Sequence, residues 1–121
     1  MAGSRMRRIN EVLREVVGAA VAGELNDPRI GFVTVTSVET SSDLRTAKVY
    51  VSVLGSDEDR EETLVGLRSS HGVLQTRIAA ETHMKRTPTL TFHYDNTIEQ
   101  GVRISKLLDE NPASPEPEPE P

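Results

Sequence analysis

Apolar residues recur at helical spacing through the first part of the chain. Met6, Ile9, Val12/Leu13, Val16/Val17, Ala20/Val21 and Leu25 follow one another at steps of three and four, which predicts an amphipathic helix over 6–25 with one side against a core. Gly18 and Gly23 interrupt it; each costs about 1 kcal/mol inside a helix, so close packing or an early end is favoured. Asn26-Asp27-Pro28 stops the helix, because proline has no N–H for the ladder and restricts the residue before it.

The period then changes to two. Residues 31–40 put Phe32, Thr34, Thr36 and Val38 on one face and Val33, Val35, Ser37 and Glu39 on the other. Residues 46–54 set Ala47, Val49, Val51 and Val53 against Lys48, Tyr50, Ser52 and Leu54. Between them Ser41-Ser42-Asp43 supplies turn chemistry, and the link is too short for a crossover helix, so an antiparallel hairpin is expected. Gly55-Ser56-Asp57 ends the hairpin and opens a helix whose acids suit its N-terminus. Leu64, Leu67, His71, Leu74 and Ile78 continue as a stripe, with Gly72 a weak point. A bent helix and two helices meeting near residue 71 both satisfy this pattern.

Thr87-Pro88 closes the helical unit, and 89–94 alternates Leu90, Phe92 and Tyr94 with Thr89, Thr91 and His93. Asn96 or Thr97 can cap a short last helix bearing Ile98, Val102, Ile104 and Leu107/Leu108. From Asn111 onward Pro112 and the Pro-Glu repeats of 115–121 have little to bury. The expectation is one α+β domain over 1–108 and a disordered acidic tail over 109–121. Its order is α-β-β-α-α-β plus the short helix, with a three-stranded sheet carrying its helices on one face.

Composition narrows the chemistry. The chain has 121 residues, no Cys and no Trp, so disulfides and thiolate chemistry are excluded and a cytoplasmic setting is expected. Arg5, Arg7 and Arg8 are not followed by a run that could serve as a leader or a membrane span. The net charge is −5, yet residues 109–121 hold five acids and no base, leaving 1–108 formally neutral. Within that body, 1–14 carries four Arg against one Glu, while 57–62 carries five acids and one Arg. Binding responds to such local fields rather than to the sum.

No catalytic residue, cofactor or metal site is expected. His71, His83 and His93 lie 12 and 10 residues apart, unlike a compact metal motif. His93, Asp95 and Ser105 could be drawn as a triad, but triads are recognised by geometry, and a solvated or locally bonded His-Asp pair is the expectation. Phosphate-cradling glycine loops are absent. His71 is expected to be partly buried in the Leu stripe, with a contact role as the alternative.

Basic residues instead cluster near element ends: Arg5, Arg7, Arg8 and Arg14; Arg29 and Arg45; then Arg77, Lys85 and Arg86. Guanidinium forks suit phosphate oxygens. Only Phe32, Tyr50, Phe92 and Tyr94 are aromatic, and the last two belong to the expected core. Backbone and shape recognition of structured RNA therefore fits better than a base-stacking platform.

Six fragments carry a resemblance: Arg8-Ile9-Asn10-Glu11-Val12; Asp27-Pro28-Arg29-Ile30-Gly31 leading into Val33-Thr34-Val35-Thr36-Ser37-Val38; Ser42-Asp43-Leu44 before Ala47-Lys48-Val49-Tyr50-Val51-Ser52; Arg86-Thr87-Pro88-Thr89-Leu90; Phe92-His93-Tyr94-Asp95-Asn96; and Glu99-Gln100-Gly101-Val102-Arg103-Ile104. In this order and spacing they resemble the bacterial ribosome-binding factor A (RbfA) family over about residues 5–108. The resemblance implies a type II KH-like fold, α-β-β-α-kink-α-β. It also implies a non-enzymatic factor that binds the immature, free 30S ribosomal subunit near its 3′ and 5′ rRNA regions. Such factors assist late maturation and rRNA processing, matter most in cold adaptation, and leave before translation, with help from an assembly GTPase in some bacteria. Ribosomal proteins are further partners it suggests.

In this family an Ala-X-Gly kink replaces the usual GXXG loop, and Ser70-His71-Gly72 stands at the matching positions, departing at the first. The Ser70 hydroxyl can bond a phosphate or a nearby carbonyl, and His71 can face solvent and RNA. The expected RNA contacts are Arg5, Arg7, Arg8, Arg14, Arg29, Arg45, Ser70, His71, Gly72, Arg77, Lys85 and Arg86. A monomer without membrane association is expected, since no surplus apolar stripe remains. The alternative is a small adaptor that recruits protein through the hairpin edge or the acidic tail.

Overall fold

The computed structural model describes residues 2–23 and 25–97. The expected last helix, the domain boundary at 108 and the acidic tail lie outside the described residues. The elements are α1 (Ala2–Gly23), β1 (Phe32–Thr40), β2 (Thr46–Leu54), α2 (Asp57–Ser69), α3 (His71–Thr82) and β3 (Thr89–Tyr94). α1 begins four residues before the apolar stripe does, so Arg5 joins Arg7 and Arg8 on the helix itself. It passes through Gly18, where an added Cβ would lie 3.9 Å from Val35 Cβ, and ends at Gly23.

β2 is the central strand, antiparallel to β1 and parallel to β3. β2 and β3 alternate as their sequences predict: Ala47, Val49, Val51, Val53, Leu90 and Phe92 are all buried. β1 departs from strict alternation. Its register against β2 shifts between Val35 and Ser37, so Thr36 is an extra residue that reverses the parity of everything after it. Val38 consequently joins Val35 in the core rather than sharing a face with Phe32 and Thr34. The Thr36 hydroxyl donates to Asp95 Oδ2 at 2.7 Å, with the Tyr50 carbonyl at 3.2 Å, which satisfies a side chain the bulge displaces.

The helices cover one face of the sheet. Leu13, Val17, Ala20 and Val21 of α1, Leu64 and Leu67 of α2, and Leu74 and Ile78 of α3 close the core over β1–β3. Ser56 and Asp59 form a reciprocal capping box at the start of α2. α2 and α3 are two helices meeting at Ser70, whose N–H donates to the carbonyls of both Gly66 and Leu67. That tight turn advances the stripe, so His71 is exposed and not part of the core; its Nδ1 lies 3.1 Å from the Arg68 carbonyl.

Thr63 is buried and ties the loop before β1 to α2, accepting from Gly31 N–H at 3.2 Å and donating to the Arg29 carbonyl at 3.4 Å. The same approach requires Gly66: a Cβ there would sit 2.7 Å from Ile30 Cγ1. Gly66→Ala is expected to destabilise the fold by about 1–3 kcal/mol through overpacking. Gly72→Ala, in open space, is expected to stabilise it by up to ~1 kcal/mol. Urea unfolding of the two variants checks both signs.

Candidate nucleic-acid interface

Strand directions sort the ends of the elements into two poles. One pole collects the β1–β2 turn, the start of β3 and, through its lining of a shared groove, the first turns of α1 and the end of α3. The other collects the α1–β1 loop, the ends of β2 and β3, and the start of α2. α2 and α3 run down the sheet between them. Arg60 stacks 4.4 Å over the Tyr94 ring, Arg68 donates to the Phe92 carbonyl at 3.2 Å, and Gln75 donates to Thr87 at 2.8 Å.

At the first pole lies a groove of about 760 Å³. Arg5 and Arg8 reach it from α1, and Lys85 and Arg86 from the α3–β3 loop. Ile9, Val12, Leu13, Leu44 and Met84 form aliphatic lining, with Asp43, Thr82 and His83 completing it. A second, shallower groove beside β1 holds Arg7, Arg8 and Arg14. Thus residues nearly eighty positions apart in the chain become one basic surface. Arg5, Arg7, Arg8, Lys85 and Arg86 have no carboxylate within ion-pair distance among the described residues. Asp43 is the one carboxylate in the lining of the first groove, against four cations.

The other sequence-predicted cations are placed differently. Arg45 is 71% exposed on its side chain and adjoins the groove at the turn, 4.0 Å from Asp43. Arg14 pairs with Glu11, one turn earlier in α1, and Arg77 with Glu81, one turn later in α3. Arg29 stands at the opposite pole, forked onto Asp27 at 2.9 and 2.6 Å. That pole also carries Asp57, Glu58, Asp59, Glu61 and Glu62 in the first turns of α2.

The kink lies midway. The Ser70 hydroxyl donates to the Gly66 carbonyl at 3.0 Å, the carbonyl option of the two considered from sequence. Gly72 is exposed. The triad does not assemble: His93 Nε2 lies 2.9 Å from Thr91 Oγ1, Asp95 receives Thr36 and Thr97, and Ser105 lies outside the described residues. Among the described residues no His, Asp and Glu cluster could hold a metal, and no helix is long and apolar enough to cross a membrane. Leu44, His83 and Met84 were not expected at the interface; nothing in their identity marks them, because only the fold sets them beside the arginines.

Fold and groove define a class first: a small α+β domain of type II KH-like arrangement with one basic pole. The family model for ribosome-binding factor A matches residues 5–108. The ribosome-binding factor A of Halothermothrix orenii is 43% identical over 108 residues, covering 89% of this chain and 88% of that protein. A solution NMR structure of a Thermotoga maritima protein aligns with a TM-score of 0.69 at 35% identity, covering 78% and 91% of the two chains. Thermus thermophilus ribosome-binding factor A, as fitted into a cryo-EM map of its 30S complex, aligns with a TM-score of 0.60 at 27% identity, covering 71% and 90%. This chain belongs to the ribosome-binding factor A family. Members are non-enzymatic factors in maturation of the bacterial small ribosomal subunit.

The Asp27–Arg29 fork has a pH signature. Arg29, by its side-chain bonds and then its backbone N–H, lowers the Asp27 carboxyl from 3.8 to about 2. A depressed carboxylate contributes stability that is complete above the unfolded value and lost as pH falls through the folded one. Asp27→Asn is therefore expected to lower the urea midpoint at pH 6, with the difference from the unaltered chain closing between pH 4 and pH 2. A difference independent of pH would show that the ion pair contributes nothing.

Proposed function

We propose that the chain acts in late maturation of the small subunit by holding ribosomal RNA of the free 30S particle against its basic pole. The observation that carries this is the convergence of Arg5, Arg8, Lys85 and Arg86 around one groove, with Arg7 on the groove beside it and none of the five in an ion pair among the described residues. Cations so arranged release counterions from a phosphate backbone, and binding then depends steeply on salt. Family membership supports the same reading, as does the Thermus relative fitted in a 30S complex.

Arg45 extends the surface. Arg14, Arg29, Arg77 and the kink residues Ser70, His71 and Gly72 are secondary contacts, since the three arginines share their charge with carboxylates. The acidic pole turns away from RNA and restricts the orientations in which the protein can dock. Binding energy is used to favour one arrangement of rRNA over its competitors, with no bond made or broken. The protein acts as a cytoplasmic monomer, is most needed in the cold where misfolded RNA escapes slowly, and is released with the help of an assembly GTPase.

A second reading, recruitment of protein by the hairpin, has one observation in its favour. Phe32 and Leu54 are cross-strand partners and stand 80% and 77% exposed beside the acidic start of α2. Capture of a basic ribosomal protein that survives nuclease would support it.

Charge reversal tests the first reading. Arg8→Glu, Lys85→Glu and Arg86→Glu together are expected to abolish co-sedimentation with immature 30S particles at physiological salt and to flatten the salt dependence by about one unit per lost phosphate contact. Arg29→Glu is expected to have a smaller effect. Retained co-sedimentation of the folded triple variant would refute the assignment.

A further inference from the structure

We propose that the basic groove is a receptor for one unstacked nucleotide, with the base on its aliphatic floor and the phosphates on its cationic rim. This rests on the RNA-binding reading and specifies the ligand of that same site: a nucleoside phosphate, within an RNA strand or free.

Three observations lead there. The first is form. A surface that only tracks duplex backbone needs exposed cations on a broad face, whereas here Arg5, Arg8, Lys85 and Arg86 surround a concavity of about 760 Å³, within the range of small-molecule sites. Its lining includes Val12, 39% exposed, and the half-buried Ile9, Leu44 and Met84. Aliphatic side chains gain from covering a base face and gain nothing from a phosphate.

The second is backbone conformation. Among the described residues, two non-glycine positions are left-handed, Leu44 at φ 62° and His83 at φ 58°, and both line this groove. Crowding of Cβ disfavours that conformation, and Gly or Asn ordinarily occupies it. Leu44 is held there by its N–H donating to the Ser41 carbonyl at 2.9 Å. A leucine retained where a glycine would fold more easily points to a use for its side chain, and sparsely populated conformations gather at binding sites.

The third is Asp43, the one carboxylate among the groove's lining residues. Its Oδ1 accepts from the Ser41 hydroxyl at 2.6 Å and from the Arg45 N–H at 3.1 Å. Oδ2 lies 4.0 Å from Arg45 Nε, beyond hydrogen-bond reach, and keeps room to accept. A carboxylate opposes a bound phosphate but accepts from the amino edge of a base.

Fluorescence anisotropy with the full chain tests the proposal, using a labelled eight-nucleotide RNA of mixed sequence, the same strand with abasic positions, and a fully paired hairpin. The base-bearing strand is expected to bind about tenfold more tightly than the abasic strand or the hairpin. Leu44→Asn and Leu44→Gly are expected to remove most of that difference by weakening the binding of the base-bearing strand. Both variants relax the left-handed position, so their melting temperatures should equal or exceed that of the unaltered chain, which separates lost binding from lost folding. Displacement of the labelled strand by GMP, AMP or CMP would assign the site to free mononucleotides as well; its absence, with the base effect intact, assigns it to RNA strands. Equal binding of base-bearing and abasic strands, or indifference to Leu44, overturns the receptor. If particle binding still falls on reversing Arg8, Lys85 and Arg86, the RNA reading survives that result. Absence of binding to strands and particles alike removes both.

Discussion

Parallel pairing of β3 with β2 is the constraint from which the rest of the molecule follows. The chain leaves β2 at Leu54 and must return to the other end of the sheet before β3 can begin at Thr89. Only a crossover can do this, and α2 and α3 make it, descending along β3 from Tyr94 to Thr87. Their order fixes where charge falls. The acids of 57–62 open the crossover at one pole, and Lys85 and Arg86 close it at the other. α1 packs beside α3 and adds Arg5 and Arg8 to the same closing end. A formally neutral body thus becomes a polarised one, because the fold sends its acidic and basic segments to opposite ends.

Close approach holds the two layers in this arrangement. Gly66 admits Ile30, Thr63 fastens the loop before β1, and Asp27 with Arg29 braces that loop from outside. These contacts lie at the acidic pole, away from the groove. Charge changes at the basic pole therefore leave them in place, which is why binding and folding can be perturbed separately. The paired arginines illustrate the difference between possessing charge and presenting it. Arg14, Arg29 and Arg77 carry the same formal charge as Arg8, yet each has a carboxylate in ion-pair contact, and the field they project is correspondingly smaller.

Much of this was legible in the residues alone. The strands 46–54 and 89–94 coincide with the alternation of Val, Leu and Phe, and Ser56 with Asp59 builds the helix start that a cap signal implies. These features depend on neighbours within a few positions, where local physics and final structure agree. The family resemblance extended the reading to function, and matches over residues 5–108 bear out the family and its part in small-subunit maturation. Around the two grooves, the basic clusters at 5–8 and 85–86 could be named as candidates from sequence because arginine and lysine identify themselves.

What tertiary structure decided has a common cause: it depends on pairs of residues far apart in the chain. The bulge at Thr36 arises from register against β2, and it turned Val38 inward against its own strand's alternation. His71 left the apolar stripe because one tight turn at Ser70 rotated the helix that follows. Leu44, His83 and Met84 came to line one groove only when the hairpin turn met the ends of α1 and α3. Sequence by itself determined the strands, most of the core and the store of cations, since these follow from local periodicity and side-chain chemistry. The fold alone chose which cations gather and which are neutralised, because charge acts through space and chain order does not measure distance.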